Sequence, residues 1–218
     1  MSEWLTWQLV DSALPTGAFA HSSGLEAAWR RGEIPDSQSL RAFVDASIQQ
    51  TGYASLPLVN DAHRDPSQLE VLDECAEAFL VNTVANRASR IQGRSLAATA
   101  ARIWPGEGLI DLRGRIANLR AHVAPVSGAV FRTLGVSLST TQRLVLYGAA
   151  RGVLSAAVRL GMIGSFEAQE MQYASSHWLD EIAKRCDTLS VDDLAQTAPL
   201  LDLMQAGHDR LYSRLFQS

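Results

Sequence analysis

The side chains of this sequence that could do chemistry are few and scattered. Its five histidines are His21, His63, His122, His177 and His208. Only His177 has carboxylates at helical spacing, Asp180 and Glu181, and such a trio could contribute to a metal site. Because a closed metal site needs more ligands than one helical face supplies, we interpret the trio as solvated helix surface. A helical-bundle metal-binding protein or enzyme that uses these three residues is the alternative hypothesis.

Two further hypotheses also involve histidines. A metal ion could be carried by exposed His21 or His208, since histidine is the commonest metal ligand. Asp61 and Asp65 flank His63 in a predicted polar turn, which could be a weak cation site. A solvated loop with carboxylate-to-backbone hydrogen bonds is the favoured interpretation of that turn. We therefore predict no metal site.

The motifs of the large enzyme classes are absent from the sequence. It has no phosphate-binding P-loop, dinucleotide-binding glycine motif, nucleophile elbow, H-E-x-x-H zinc motif or EF-hand loop. With 19 Lys and Arg against 23 Asp and Glu, the net charge of -4 has the wrong sign for binding that depends on neutralising phosphates. We predict no catalytic residues, no cofactor and no nucleic-acid partner.

Cysteine usage and the N-terminal residues indicate the compartment. Cys75 and Cys186 lie far apart and form no disulfide framework or zinc motif. The first residues lack the basic and apolar regions of a secretion signal, and no apolar run approaches the length of a membrane span. We expect a cytoplasmic protein that does not span a membrane.

The elements that must position these residues are predicted to be helices. Apolar residues recur at intervals of three and four through most of the chain, and runs of alternating apolar and polar residues are scarce. The clearest stripe runs from Leu69 to Val84, with Asp73 and Glu77 placed off it. Further helices are predicted at 4–10, 24–31, 37–51, 89–103, 112–121, 127–134 and 140–160. The fold class is therefore all-α, a single-domain bundle of about ten helices over residues 1–218.

Turn residues separate these helices. Pro15 and Gly17 lie in an irregular turn that is predicted to shape the first helical crossing. Ser23 stands three residues before Glu26, the spacing of a capping box. The run from Trp104 to Gly108 contains a proline and two glycines and is predicted to be a loop.

Two stretches have the character of protein-binding surfaces. Tyr147, Arg151 and Ser155 fall at i, i+4 and i+8 of the longest predicted helix, with Arg159 a further turn along, so one face is Arg- and Tyr-rich. A solvated cationic face is the competing interpretation. The residues after Pro199 stay apolar in helical register almost to the last one. This tail either docks on its own domain or awaits a partner.

Four segments together resemble a known family. They are Trp7–Glu26 (WQLVDSALPTGAFAHSSGLE), Ser89–Gly93 (SRIQG), Arg151–Gly161 (RGVLSAAVRLG) and Gly207–Ser218 (GHDRLYSRLFQS). In this order they are similar to the motifs of the urease accessory protein UreF family. The segment from Ala121 to Gly128 matches more loosely, and the regions around residues 60–70 and 104–108 carry no family pattern.

The resemblance implies a non-catalytic, all-helical homodimer that holds no nickel. It would join the accessory protein UreD (also called UreH) to the GTPase UreG on the urease apoprotein and govern GTP hydrolysis during nickel insertion. Arg159 matches a Lys/Arg position of the family that bears on GTPase control. In the tail, about residues 207–218, ordering on partner binding is expected. The partner-binding residues that we predict are Tyr147, Arg151, Arg159, Leu211, Tyr212, Arg214, Leu215 and Phe216.

Overall fold

Helices account for all the regular structure in residues 3–217, which are the residues that the computed structural model of the chain describes. The helices are α1 (Glu3–Val10), α2 (Leu25–Arg30), α3 (Ser37–Ala54), α4 (Leu56–Arg64), α5 (Leu69–Phe79), α6 (Thr83–Ile103), α7 (Glu107–Ile116), α8 (Val123–Thr133), α9 (Leu138–Arg159), α10 (Ser165–Ala174), α11 (Ser176–Arg185) and α12 (Pro199–Ala206). The predicted all-α fold class is confirmed. None of the described helices is long and apolar enough to cross a bilayer.

The helices enclose two large apolar clusters on either side of α4 and α8. One cluster lies among α2, α3, α9 and α11, and the other lies among α6, α7 and α8. The contact between α4 and α8 is very close at Gly128, where a Cβ atom would lie 2.3 Å from the carbonyl oxygen of Val59. Only glycine permits this approach, so the sequence fixes how tightly the two central helices pack.

The stripe predicted from Leu69 to Val84 is two helices. α5 ends at Phe79, and α6 begins at Thr83 behind the N-cap residue Asn82, whose Oδ1 accepts hydrogen bonds from the backbone N–H of Val84 (3.0 Å) and Ala85 (3.4 Å). A side chain that satisfies these exposed donors starts a new helix. The apolar spacing across the break resembled one continuous helix.

Asp73, which was placed on a solvated face, is buried instead. Its Oδ2 accepts the backbone N–H of Arg120 at 2.7 Å and of Ala121 at 3.2 Å. Its Oδ1 accepts the N–H of His122 at 2.7 Å. Three charge-assisted bonds therefore fasten α5 to the turn before α8, where Ala121 has a φ of +66°. Gly93 of α6 faces the same turn, since its Cβ would lie 1.9 Å from the oxygen of Ala121.

Two local predictions were wrong. Asp61 and His63 lie within α4 rather than in a polar turn, and the buried His63 places Nε2 2.7 Å from the oxygen of Val136. Burial lowers the pKa of His63 below its ordinary value, which favours the neutral ring. The predicted loop from Trp104 to Gly108 is shorter, because α7 already begins at Glu107.

Replacing Asp73 with alanine is expected to lower the free energy of unfolding by about 3 kcal/mol, because three buried backbone donors lose their acceptor. Urea unfolding followed by circular dichroism measures the change. The matched control is Asp192→Ala, at an exposed acid, which should be neutral within about 0.5 kcal/mol. Equal stability of the two variants would contradict the role of Asp73.

Candidate partner-binding surface

The Arg- and Tyr-rich face of α9 forms one wall of a groove of about 470 Å³. The opposite wall is the segment from Leu9 to Phe19, which begins in the last turn of α1 and crosses over α9. Of the residues predicted to bind partners, four lie together in this groove: Tyr147, Arg151, Arg159 and Phe216. Residues from three distant parts of the sequence therefore meet at one surface.

Arg159 is held between two aromatic rings. Its guanidinium carbon lies 3.8 Å from the ring centre of Phe19 and 4.3 Å from that of Phe216, and its Nη1 donates a hydrogen bond of 2.5 Å to the carbonyl of Phe19. Two turns earlier, Arg151 donates to the carbonyl of Val10. Cation–π stacking and these bonds fix both guanidinium groups within the groove. The arginines of this cationic face are therefore held by contacts within the protein and are not merely solvated.

The turn at Pro15 and Gly17 connects this segment to α6. The carbonyl of Pro15 accepts hydrogen bonds from Ser95 Oγ at 3.1 Å and Thr99 Oγ1 at 2.8 Å. Gly17 has a φ of +78°, a backbone conformation that glycine adopts without strain. The turn therefore fixes the point from which the chain runs to Phe19, next to Arg159.

The tail lies against the same surface, held by a buried carboxylate. Glu26 of α2 is fully buried and accepts the backbone N–H of Leu215 at 2.7 Å and of Phe216 at 3.1 Å. The N–H of Gln217 donates to the carbonyl of Ala20 at 2.8 Å. The ring of Phe216 is 5% exposed and joins the larger apolar cluster. Residues 207–217 are thus docked, and Ser218 lies outside the described residues.

This use of Glu26 overturns the predicted capping box. The N-cap of α2 is Gly24, with a φ of +88° and no side-chain cap, and not Ser23. A Cβ at Gly24 would lie 3.0 Å from the backbone of Gln205 in α12, so the left-handed glycine also permits close packing next to the tail. The acid at position 26 serves a distant segment rather than its own helix.

The outer side of the tail remains available. Tyr212 is fully exposed and Leu215 is 52% exposed, whereas Leu211 is half-buried. Arg214 donates to Asp209 at 3.0 Å, and Asp209 in turn receives both terminal nitrogens of Arg87 on α6, at 2.8 and 3.2 Å. The Arg87 hydrogen bonds lower the pKa of Asp209, so this carboxylate stays ionised and ties the tail to α6.

The histidines do not form a metal site. His21 and His208 are buried, which contradicts carriage of a metal ion through exposed side chains. Burial lowers the pKa of His21, and the nearby His208 and Arg87 make smaller contributions in the same direction. Asp180 lies 3.7 Å from Arg143, and Glu181 pairs with Arg185 rather than with His177. Among residues 3–217 no three His, Cys, Asp or Glu side chains are grouped as metal ligands.

Fold and site together define an all-helical protein with a groove between the Arg- and Tyr-rich face of α9, the segment from Leu9 to Phe19 and the tail residue Phe216. The UreF family model matches residues 34–176. Urease accessory protein F of Oryza sativa subsp. indica is 37% identical over 99% of this chain and 85% of its own length, and that of Arabidopsis thaliana is 36% identical over 99% and 92%. Urease accessory protein UreF of Kocuria rhizophila is 32% identical over 97% and 94%.

The chain belongs to the UreF family of urease accessory proteins. It is accordingly an accessory factor in urease maturation and not a catalytic enzyme, and it works together with other maturation factors.

Sequence reasoning missed the residues that assemble this surface. Glu26, Phe19 and Asp209 were not predicted to contribute, because their partners lie more than a hundred residues away. The one available signal was an acid within an otherwise apolar stretch, since Glu26 is followed by Ala27 and Ala28. A buried acid requires donors, and the sequence does not identify them.

Replacing Glu26 with alanine is expected to release the tail, since two backbone donors lose a charged acceptor. Hydrogen exchange at the amides of Leu215 and Phe216 should accelerate about tenfold or more. The control is Glu170→Ala on α10, where the acid is exposed. If exchange at these two amides does not change while Glu26→Ala remains folded, the carboxylate does not hold the tail.

Proposed function

We propose that this chain is an adaptor in urease maturation. It bridges UreD (UreH) and the GTPase UreG on the urease apoprotein and governs GTP hydrolysis while nickel is inserted. The observation that carries the proposal is the meeting of the α9 face, the segment from Leu9 to Phe19 and the tail at one groove. In this proposal GTP is cleaved by UreG and nickel is delivered to urease, so the adaptor needs neither activity.

The chemistry of this surface suits recognition of a protein. Tyr and Arg are enriched among the residues that dominate protein interfaces, and Tyr147, Arg151 and Arg159 lie half-buried along one groove. The two arginines are fixed before binding, Arg151 by its bond to Val10 and Arg159 by its bond to Phe19, which reduces the entropy lost on association. A preorganised face of this kind favours binding of a specific partner over non-specific binding.

The tail supplies an apolar contact next to that face. Tyr212 and Leu215 are exposed between half-buried Leu211 and buried Phe216, so the side chains available to a partner differ from those that dock the tail. We propose that Leu211, Tyr212, Arg214, Leu215 and Phe216 form this contact, with Phe216 as its buried anchor, and that the exposed side chains of the docked tail become ordered on partner binding. Homodimerisation, a cytoplasmic location and a single domain over residues 1–218 belong to the same proposal.

Assembly is the direct test of the adaptor function. The purified chain is mixed with UreD and UreG, with GTP and nickel varied, and the mass of the eluted complexes is measured by light scattering. A stable complex containing all three proteins is expected. If well-folded partners each fail to bind the chain, the adaptor proposal fails.

The tail contact gives a specific prediction. A Tyr212→Ala/Leu215→Ala variant should bind its partner about tenfold more weakly, because it loses exposed apolar side chains without disturbing Phe216. The matched control is Tyr173→Ala on α10, a tyrosine that is 83% exposed away from the groove. Titration calorimetry with UreD and with UreG identifies the affected partner. Unchanged affinity for both, also after truncation following Ala206, would exclude the tail as a binding element.

Arg159 gives a second prediction. Arg159→Ala should lower nickel activation of urease while helical content by circular dichroism stays unchanged, because the residue stacks at the surface rather than in the core. Arg159→Lys should retain part of the activation, since lysine keeps the charge but lacks the planar group that stacks between rings. Loss of helicity in Arg159→Ala would instead assign the residue a structural role.

A further inference from the structure

A second groove, of about 600 Å³, lies on α6 outside the α9 surface. It runs between the last turn of α5, the link to α6 and the first half of α6. Its volume falls within the range of about 300–1,000 Å³ that is typical of ligand sites. Three arginines, Arg87, Arg90 and Arg94, follow one face of the first half of α6.

Among residues 3–217, two of these arginines have no carboxylate partner. Arg87 is paired with Asp209, whereas the ion pairs of the described residues include neither Arg90 nor Arg94. Nε of Arg90 is buried and has no hydrogen-bond acceptor among residues 3–217. A buried donor on a cationic side chain that lacks an acceptor is energetically costly, and an incoming carboxylate would remove that cost.

On the side away from the groove, the helix that carries these arginines is fixed to the turn before α8. Ser89 Oγ lies 3.1 Å from His122 Nδ1 and accepts the N–H of Val123 at 3.1 Å, and Gly93 closes against Ala121. Within the Ser89–Gly93 segment, Ser89 and Gly93 therefore face the turn before α8, while Arg90 and Ile91 line the groove. The adaptor proposal assigns this segment no role.

The groove also has an apolar rim, and a carboxylate of the same chain is bound at its edge. Val81 is 83% exposed and Ile91 is 42% exposed beside the arginines. The one acid of the lining, Glu77, is already engaged by Asn86 (3.0 Å) and by His122 Nε2 (2.9 Å). At the edge of the groove, Arg87 holds the carboxylate of Asp209 with two parallel bonds, the geometry for which arginine is suited.

We propose that this groove binds an acidic segment of a partner protein, with carboxylates on Arg90 and Arg94 and an aliphatic side chain on Val81 and Ile91. The apolar rim distinguishes such a segment from a polyphosphate, which offers no aliphatic group to cover it. The overall charge of -4 also disfavours a nucleic acid, which would be repelled by the remaining surface.

Fluorescence anisotropy with the full chain tests this site. The probe is a short fluorescein-labelled peptide of alternating glutamate and leucine, and a glutamine and leucine peptide of equal length is the comparison. We expect saturable binding of the acidic peptide that is at least about tenfold weaker for Arg90→Ala/Arg94→Ala and that weakens with added salt. The matched control is Arg102→Ala, an exposed arginine of α6 outside the groove.

Four outcomes overturn the proposal: no binding, equal binding of the glutamine peptide, equal loss in Arg102→Ala, or tighter binding of a single-stranded oligonucleotide at the same residues. Self-association that disappears in Arg90→Ala/Arg94→Ala would make a second copy the occupant and overturn it as well. Arg90→Gln/Arg94→Gln repeats the test with less loss of volume, and circular dichroism verifies folding. No urease factor is present, so failure here leaves the adaptor proposal standing.

Discussion

The carboxylate of Asp73 binds the three successive backbone N–H groups of residues 120–122, and much of the molecule is arranged around that contact. It holds a turn in which Ala121 adopts a left-handed conformation, and α8 begins directly after that turn. α8 then packs against α4 at Gly128 and against α6 near Gly93. Ser89 of α6 lies within hydrogen-bond distance of His122 in the same turn. The turn that Asp73 holds therefore also helps to orient the arginine face of α6.

Glu26 has the same structural role at the other candidate surface. A buried acid again accepts successive backbone N–H groups from a segment distant in sequence, here Leu215 and Phe216. Backbone donors cannot change their chemistry, so an acid in a helix can fasten any segment that presents two or three of them. Each acid thus fixes an irregular segment on a helix, the turn before α8 in one case and the tail in the other.

The helical periodicity of the sequence predicted most elements, because amphipathic helices such as α3, α6 and α9 bury one continuous apolar face. It failed at α4, where Asn60 and His63 are buried but polar and therefore interrupted the apolar pattern. Asn60 donates to the carbonyls of Cys186 and Leu189, at 3.0 and 2.9 Å, and those partners are invisible to any local window. The grouping of Tyr147, Arg151 and Arg159 followed from spacing, whereas the contacts of Arg159 with Phe19 and Phe216 required the fold.

The stack of Phe19, Arg159 and Phe216 also bears on the order in which the molecule forms. The Arg159 bond to Phe19 spans 140 residues, and the Glu26 bonds to the tail span 189 and 190. Closing loops of that length is entropically expensive until the helices between them have condensed. We therefore expect the stack to form late in folding, after the core exists. A chain that has not finished folding lacks the assembled surface, so the recruitment proposed for this surface would select mature molecules.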